Sequence, residues 1–242
     1  YMYVTPSIYK PGALKSFKLG GNSNFGASTD TGFGFKWETE GGFAIASNIV
    51  TKNADSTGMI GKDDVNKWDT QVAYTTDRWH VSATLSDAQN WTSQSYNATS
   101  AAAAMGTSGD TTGYALRAYW RPEESGSAVP EISVGYDTKS LDNATGSGTA
   151  KEADSYMVGL TWRDMFQADD RIGLGLTQPL AVSEVVGGGA TGEVDPFIWE
   201  AYYAFKPNDS MEIRPAIFGG SDVEDSTADD IFGAVVTTTF KF

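Results

Sequence analysis

The fold class this sequence predicts is all-β: a membrane-spanning, antiparallel up-and-down β-barrel of about twelve strands. Three observations carry that expectation. Apolar and polar side chains alternate with period two along nearly every apolar stretch, as they do on the two faces of a strand. The connections between those stretches alternate between a longer and a shorter set. The aromatic residues of the apolar face gather near the two strand ends and leave aliphatics between them.

Composition narrows the classes first. The chain has 242 residues, of which 20% are charged and 12% aromatic, with 27 Gly, no Cys and a net charge of −14. Its mean hydropathy of −0.31 resembles that of a water-soluble protein, yet only every second residue of a barrel strand faces lipid, so a polar average does not exclude a barrel. No window approaches the roughly 18–20 consecutive apolar residues that a membrane helix needs. The lack of Cys removes disulfide scaffolds, thiolate metal sites and cysteine nucleophiles. The acidic balance opposes nucleic-acid binding, which needs clustered Lys and Arg. The N-terminus, YMYVTPSIYKPG, lacks a charged n-region, an apolar h-region and an initiator Met, so the chain reads as mature or truncated.

Taken in order, residues 1–20 offer one or two strands, interrupted by Pro6 and by Lys10-Pro11-Gly12. Phe33, Phe35 and Trp37 then oppose Gly34, Lys36 and Glu38, and after a tight EGG turn Phe43, Ile45, Ser47 and Ile49 answer them. Trp68, Thr70, Val72 and Tyr74 form the next face, the chain reverses at Asp77-Arg78, and Trp79, Val81, Ala83 and Leu85 return. The same grammar runs through Tyr114–Trp120, Ile132–Tyr136, Tyr156–Trp162, Ile172–Leu176, Phe197–Phe205 and Met211–Ile217. The final stretch, DIFGAVVTTTFKF, alternates Phe232, Ala234, Val236, Thr238, Phe240 and Phe242 against Ile231, Gly233, Val235, Thr237, Thr239 and Lys241. That makes eleven strands, each of roughly nine to eleven residues, the length a tilted strand needs to cross a bilayer.

The connections at 40–42, 77–78, 122–129, 164–170 and 206–208 form the shorter set, and those at 53–66, 88–111, 140–153, 179–195 and 220–229 the longer. Strict alternation places one set at each end of the sheet, as in outer-membrane barrels with short periplasmic turns. Trp37, Trp79, Trp120, Trp162, Tyr203, Phe205, Phe240 and Phe242 fall toward the short-turn end. Phe33, Trp68, Tyr114, Tyr156, Phe197, Trp199 and Phe232 fall toward the other, with Val72, Leu116, Val134, Leu174 and Val236 between them. Two such bands match the interfacial girdles of a barrel.

Four stretches, YWRPEESG at 119–126, ADSYMVGLTW at 153–162, GLGLTQP at 173–179 and WEAYYAFKPNDSMEIRPAIF at 199–218, resemble the OprB-type porins of cyanobacterial outer membranes, the Som-like proteins that carry a surface-layer-homology domain. The resemblance spans about residue 112 to the C-terminus and thins to general barrel character before it. It implies a barrel of some sixteen strands, a homotrimer in outer-membrane lipid, and a channel for small hydrophilic solutes and inorganic ions, sugars included. It also implies a preceding domain that grips peptidoglycan, which is not present here. Residues 1–242 are therefore expected to be one barrel domain, with the wall-binding domain and the first strands upstream of this chain. The terminal Phe242 suits the sorting signal that the resemblance implies.

If the apolar face meets lipid, the opposite face lines the lumen. Lys36, Glu38, Asp69, His80, Arg117, Arg121, Glu131, Asp137, Arg163, Glu200, Glu212 and Arg214 lie on it. Charges of both signs in a wet channel bias which ions pass; Lys36, Asp69, Arg117, Glu200, Glu212 and Arg214 are the expected pore-lining residues, with salt-bridged wall residues as the plain alternative. The SAAAAM core of the 88–111 loop favours a short helix, folded inward as a constriction or left exposed. The acidic GSDVEDSTADD stretch lacks the spacing of a calcium loop and is expected only to make one mouth negative. The single histidine, His80, sits beside a short turn, where a structural role is expected. No nucleotide or zinc motif occurs, so neither catalysis, a metal nor a cofactor is expected. A plugged structural barrel or surface receptor is the alternative from another class, and a soluble β-sandwich is third.

Overall fold

The computed structural model describes residues 9–10, 12–13, 31–52, 54–58, 65–91, 98–189, 191, 196–222 and 230–241. Among them, eleven strands form a single sheet in sequence order, each antiparallel to the next. They are β1 (Thr31–Glu38), β2 (Phe43–Lys52), β3 (Val65–Thr75), β4 (Trp79–Gln89), β5 (Thr111–Trp120), β6 (Glu131–Leu141), β7 (Ala150–Arg163), β8 (Arg171–Val185), β9 (Phe197–Asn208), β10 (Met211–Ser221) and β11 (Ile231–Phe240). Two helices, α1 (Ala54–Thr57) and α2 (Ser100–Ser108), lie in connections at the same end. No described helix is long and apolar enough to cross a membrane.

The period-two reading of the sequence translates directly into the two faces. On β3, Trp68, Val72 and Tyr74 are 54%, 44% and 47% exposed, whereas Lys67, Asp69 and Gln71 on the opposite face are 2%, 0% and 3% exposed. β4 repeats the pattern, with Trp79, Val81 and Leu85 outside and His80, Ser82, Thr84 and Ser86 inside. A sheet folded in water buries its apolar face; this one is inside out.

The register lines up the outer side chains in rows. Trp79 pairs with Trp120 and Trp120 with Ile132, while Phe43 pairs with Tyr74 and extends the same short-turn band. At the other end Tyr136 pairs with Tyr156, and Trp199 lies across Gly219 from Phe232, its ring 6.2 Å from the phenyl. Between the bands run aliphatic rows such as Val134–Val158–Leu176 and Leu174–Ala201–Ile217. Phe242 lies outside the described residues.

Three expectations change. Among the described residues the strand count is eleven, not twelve. Of the residues expected to hold one or two further strands, 1–8, 11 and 14–20 fall outside those described, while Gly12 and Ala13 donate their amides to Glu200 on the inner wall. The strands are also less uniform, from 8 residues in β1 to 14 in β7 and 15 in β8. Because β6 and β7 run on past the aromatic band, their connection shrinks to 142–149, shorter than the 121–130 connection at the other end. Loop length alone therefore does not sort the two ends; the unbroken up-and-down order does. Finally, β1 and β11 are the two edges of the sheet, and among the described residues no pairing joins them.

Two elements lie against the inner face. The register of β7 and β8 shifts between Asp154 and Tyr156, opposite Pro179, whose missing N–H suits a break in the ladder. Past this bulge Leu180 and Val182 turn inward and, with Leu141 and Ala153, bury Ala102 and Met105 of α2. The helix starts at Thr99, whose side chain accepts from the Ala102 amide at 3.3 Å, and Lys139 Nζ donates to the Ala102 carbonyl at 3.3 Å. The loop helix thus folds inward onto β6–β8. The second element is a strap at Tyr9–Lys10 and Gly12–Ala13, described next.

Candidate functional site

The inner face is built from alternate residues of every strand and holds most of the described ion pairs. All six expected pore-lining residues lie on it. Lys36 pairs with Glu38 at 2.8 Å and keeps a 29% exposed side chain. Glu212 accepts from Arg171 at 2.9 Å and from Arg214 at 2.6 Å, one carboxylate shared by two guanidiniums. The other three differ from the expectation. Asp69, beside Lys67 at 3.6 Å, and Arg117, paired with Asp137, are 0% and 4% exposed, and Glu200 is 0% exposed. A residue withdrawn to that degree meets neighbouring side chains rather than a passing solute, because desolvating a charge demands a fixed partner. Here Asp69 and Arg117 act as wall, and Glu200 as an anchor.

The anchor could not be read from local pattern. Glu200 accepts from Tyr9 Oη at 2.8 Å, from the Gly12 amide at 2.7 Å and from the Ala13 amide at 2.8 Å. Tyr9 packs with Met157, Ile198 and Tyr202, its ring 6.1 Å from that of Tyr202. Glycines make the room: a Cβ on Gly159 would stand 2.5 Å from the Tyr9 ring, and one on Gly173 would stand 2.1 Å from the Tyr202 ring. The small residues on the inner side of β7 and β8 are the signal in the sequence that something bulky lies over that wall.

His80 is fully buried. Its Nδ1 shares a hydrogen bond with Thr75 Oγ1 at 2.8 Å and its Nε2 one with Ser82 Oγ at 3.1 Å, and its ring stacks on Tyr119 at 5.1 Å and 10°. Its neighbours are thus hydroxyls and a ring, a structural setting. The acidic stretch at 220–230 lies mostly outside the described residues.

Sequence reasoning passed over the turn at 164–170. Asp170 is buried at its base and accepts from the amides of Met165, Phe166 and Gln167 at 2.8, 3.0 and 3.1 Å, and from Tyr203 Oη at 3.0 Å. Burial pushes its carboxyl up, but the amides of Met165 and Phe166, the Tyr203 hydroxyl and the Gln167 amide together outweigh that and hold it below the usual carboxylate range. Beside it, Arg163 of β7 and Arg171 of β8 face each other directly in the ladder. Arg163 leans to Glu131 at 2.9 Å, as does Arg121 at 3.7 Å. Arg171 alternates with Ile172 and so lies inward by the same period-two rule, and its neighbours are what pairing adds.

No family model matches this chain, and no curated protein does. Among solved structures it is similar to one described as KdgM porin in complex with disordered oligogalacturonate, at 10% identity and a TM-score of 0.35, over 87% of this chain and 91% of that one. A likeness that distant assigns nothing to this chain.

Proposed function

We propose that this chain is an outer-membrane porin: a closed β-barrel whose polar inner face lines a water-filled path for small hydrophilic solutes and inorganic ions. The observation that carries the reading is the inverted sheet. Its outer face carries two aromatic bands flanking aliphatic rows, the arrangement lipid rewards, and its inner face carries charges of both signs, the arrangement a wet lumen uses. Closure is part of the proposal. Two edge strands with unpaired backbone groups cannot persist in hydrocarbon, so β1 and β11 meet each other or further strands there. The OprB-type likeness adds a homotrimer in outer-membrane lipid, short turns toward the periplasm, and peptidoglycan contact only through a domain outside this chain. The reading includes no catalysis and no nucleic-acid partner.

Planar-bilayer recording of the refolded protein is the test: stable steps in KCl are expected, and silence from a correctly folded protein would overturn the channel. A second reading is favoured by one observation: the strap on Glu200 and helix α2 both occupy the inner side, as in a plugged barrel serving structure or surface recognition. Silence that gives way to steps when the strap is released would select it.

A further inference from the structure

Five cations of the inner face converge at its short-turn end in a chain whose net charge is −14. Lys10 of the strap, Arg171 of β8, Lys206 of β9, Arg214 of β10 and Lys241 after β11 line one cavity of about 240 Å³. Two carboxylates share it, Asp209 and Glu212, and Glu212 is already taken up by Arg171 and Arg214. Lys206 also reaches Asp169, at 2.9 Å. Among the described residues positive charge therefore remains in excess.

Two independent features point to a ligand. Arg171 is only 8% exposed, yet its Nε is buried with no hydrogen-bond partner among the described residues, and a buried donor of this kind calls for an acceptor. Arg163 also stands directly opposite Arg171 across β7 and β8; each guanidinium has its own carboxylate, Glu131 and Glu212 at 2.9 Å, and Arg163 adds a further positive charge beside Lys10. Partial desolvation, then the charges of Arg171 and Arg163, draw the Lys10 ammonium below its usual value, the electrostatic mark of a cation held among cations. At about 30 Å³ per water, the cavity has room for a tetrahedral oxyanion and several waters. Guanidinium forks suit such oxygens, and ammonium groups add point charge.

We propose that this cavity binds a small oxyanion of the size and charge of inorganic phosphate, with Lys10 delivered to the site by the strap that Glu200 holds. In the channel reading, on which its transport consequence rests, the site is a selectivity station at the periplasmic mouth.

The test is calorimetric titration of inorganic phosphate into the refolded full chain in zwitterionic detergent at low salt, with bilayer recording beside it. The double variant Lys10→Gln, Lys241→Gln alters the two exposed cations and leaves the Arg171–Glu212–Arg214 cluster alone. Saturable binding to the wild type, weakened roughly tenfold or more in the double variant and unchanged in Lys151→Gln, supports the site, since Lys151 pairs with Glu184 at the other end. Equal weakening by Lys151→Gln would show only diffuse charge and overturn it. A conducting wild type that binds no phosphate overturns the site and leaves the channel standing. Phosphate binding by a folded but silent protein supports the site and sinks the channel.

Discussion

Replacing Glu200 with Ala is expected to free the strap. The carboxylate receives three hydrogen bonds, and bonds to a charged group contribute about 1.5–3 kcal/mol each, so the anchor supplies on the order of 4–9 kcal/mol. Holding backbone in one conformation costs about 1–2 kcal/mol per residue, which over the four described strap residues nearly cancels that gain. Burial of the Tyr9 side chain adds about 1.5–3 kcal/mol, too little to hold the strap alone. The sheet itself, whose ladder does not depend on Glu200, stays folded. Because the chain has no cysteine, a single Cys at position 10 takes a nitroxide uniquely. The spectrum is expected to change from immobile to mobile in Glu200→Ala, with an intermediate state in Glu200→Gln, which keeps one acceptor oxygen and presents an NH2 where an acceptor stood. Single-channel conductance should rise with mobility, while the mobility of the unheated protein on SDS gels reports that the barrel persists. An immobile label and unchanged conductance in a folded Glu200→Ala protein would refute the anchor.

Three further outcomes are expected. Gly159→Val puts a branched side chain where even a Cβ would stand 2.5 Å from the Tyr9 ring, so it should mobilise the same label without touching Glu200; an immobile label would show that the wall yields instead. Asp137→Ala removes the ion pair of Arg117, which is 4% exposed, and should lower unfolding stability in urea by about 3–5 kcal/mol, the usual result of stranding one buried charge, with Asp137→Asn in between; a loss under 1 kcal/mol would contradict it. At the 164–170 turn, the Asp170 carboxyl is held below its unfolded value, so its contribution is complete above about pH 4 and is lost as pH falls through the folded value. Hydrogen exchange at the Met165, Phe166 and Gln167 amides should therefore lose protection in acid once corrected for intrinsic rates, and Asp170→Asn should abolish that dependence; a pH-independent wild type would argue against the network.

The outer surface was largely legible from the sequence because lipid contact is decided one residue at a time. Trp79, Val81 and Leu85 point outward for the same local reason that His80, Ser82 and Thr84 point inward. Strand ends were less legible. β7 and β8 continue past Tyr156 and Gln178 through a bulge, and what draws them out is the apolar side of α2, a partner from another part of the chain. The expected pore-lining set shows the same division: alternation put Asp69, Arg117 and Glu200 on the correct face, but it carries no information about what covers that face.

By itself, then, the sequence located the eleven described strands while expecting a twelfth, and it set their two faces, the ends at which the aromatics fall and the inward placement of most strand charges, because each follows from the period-two geometry of a strand. Only the tertiary structure decided that Glu200 is an anchor, that Arg163 meets Arg171, and that Lys10 joins the cations of β8 to β11. Tyr9 and Glu200 stand 191 positions apart, and no local periodicity reports a contact over that separation: it exists only once the strands between them have paired and carried one wall beneath the strap.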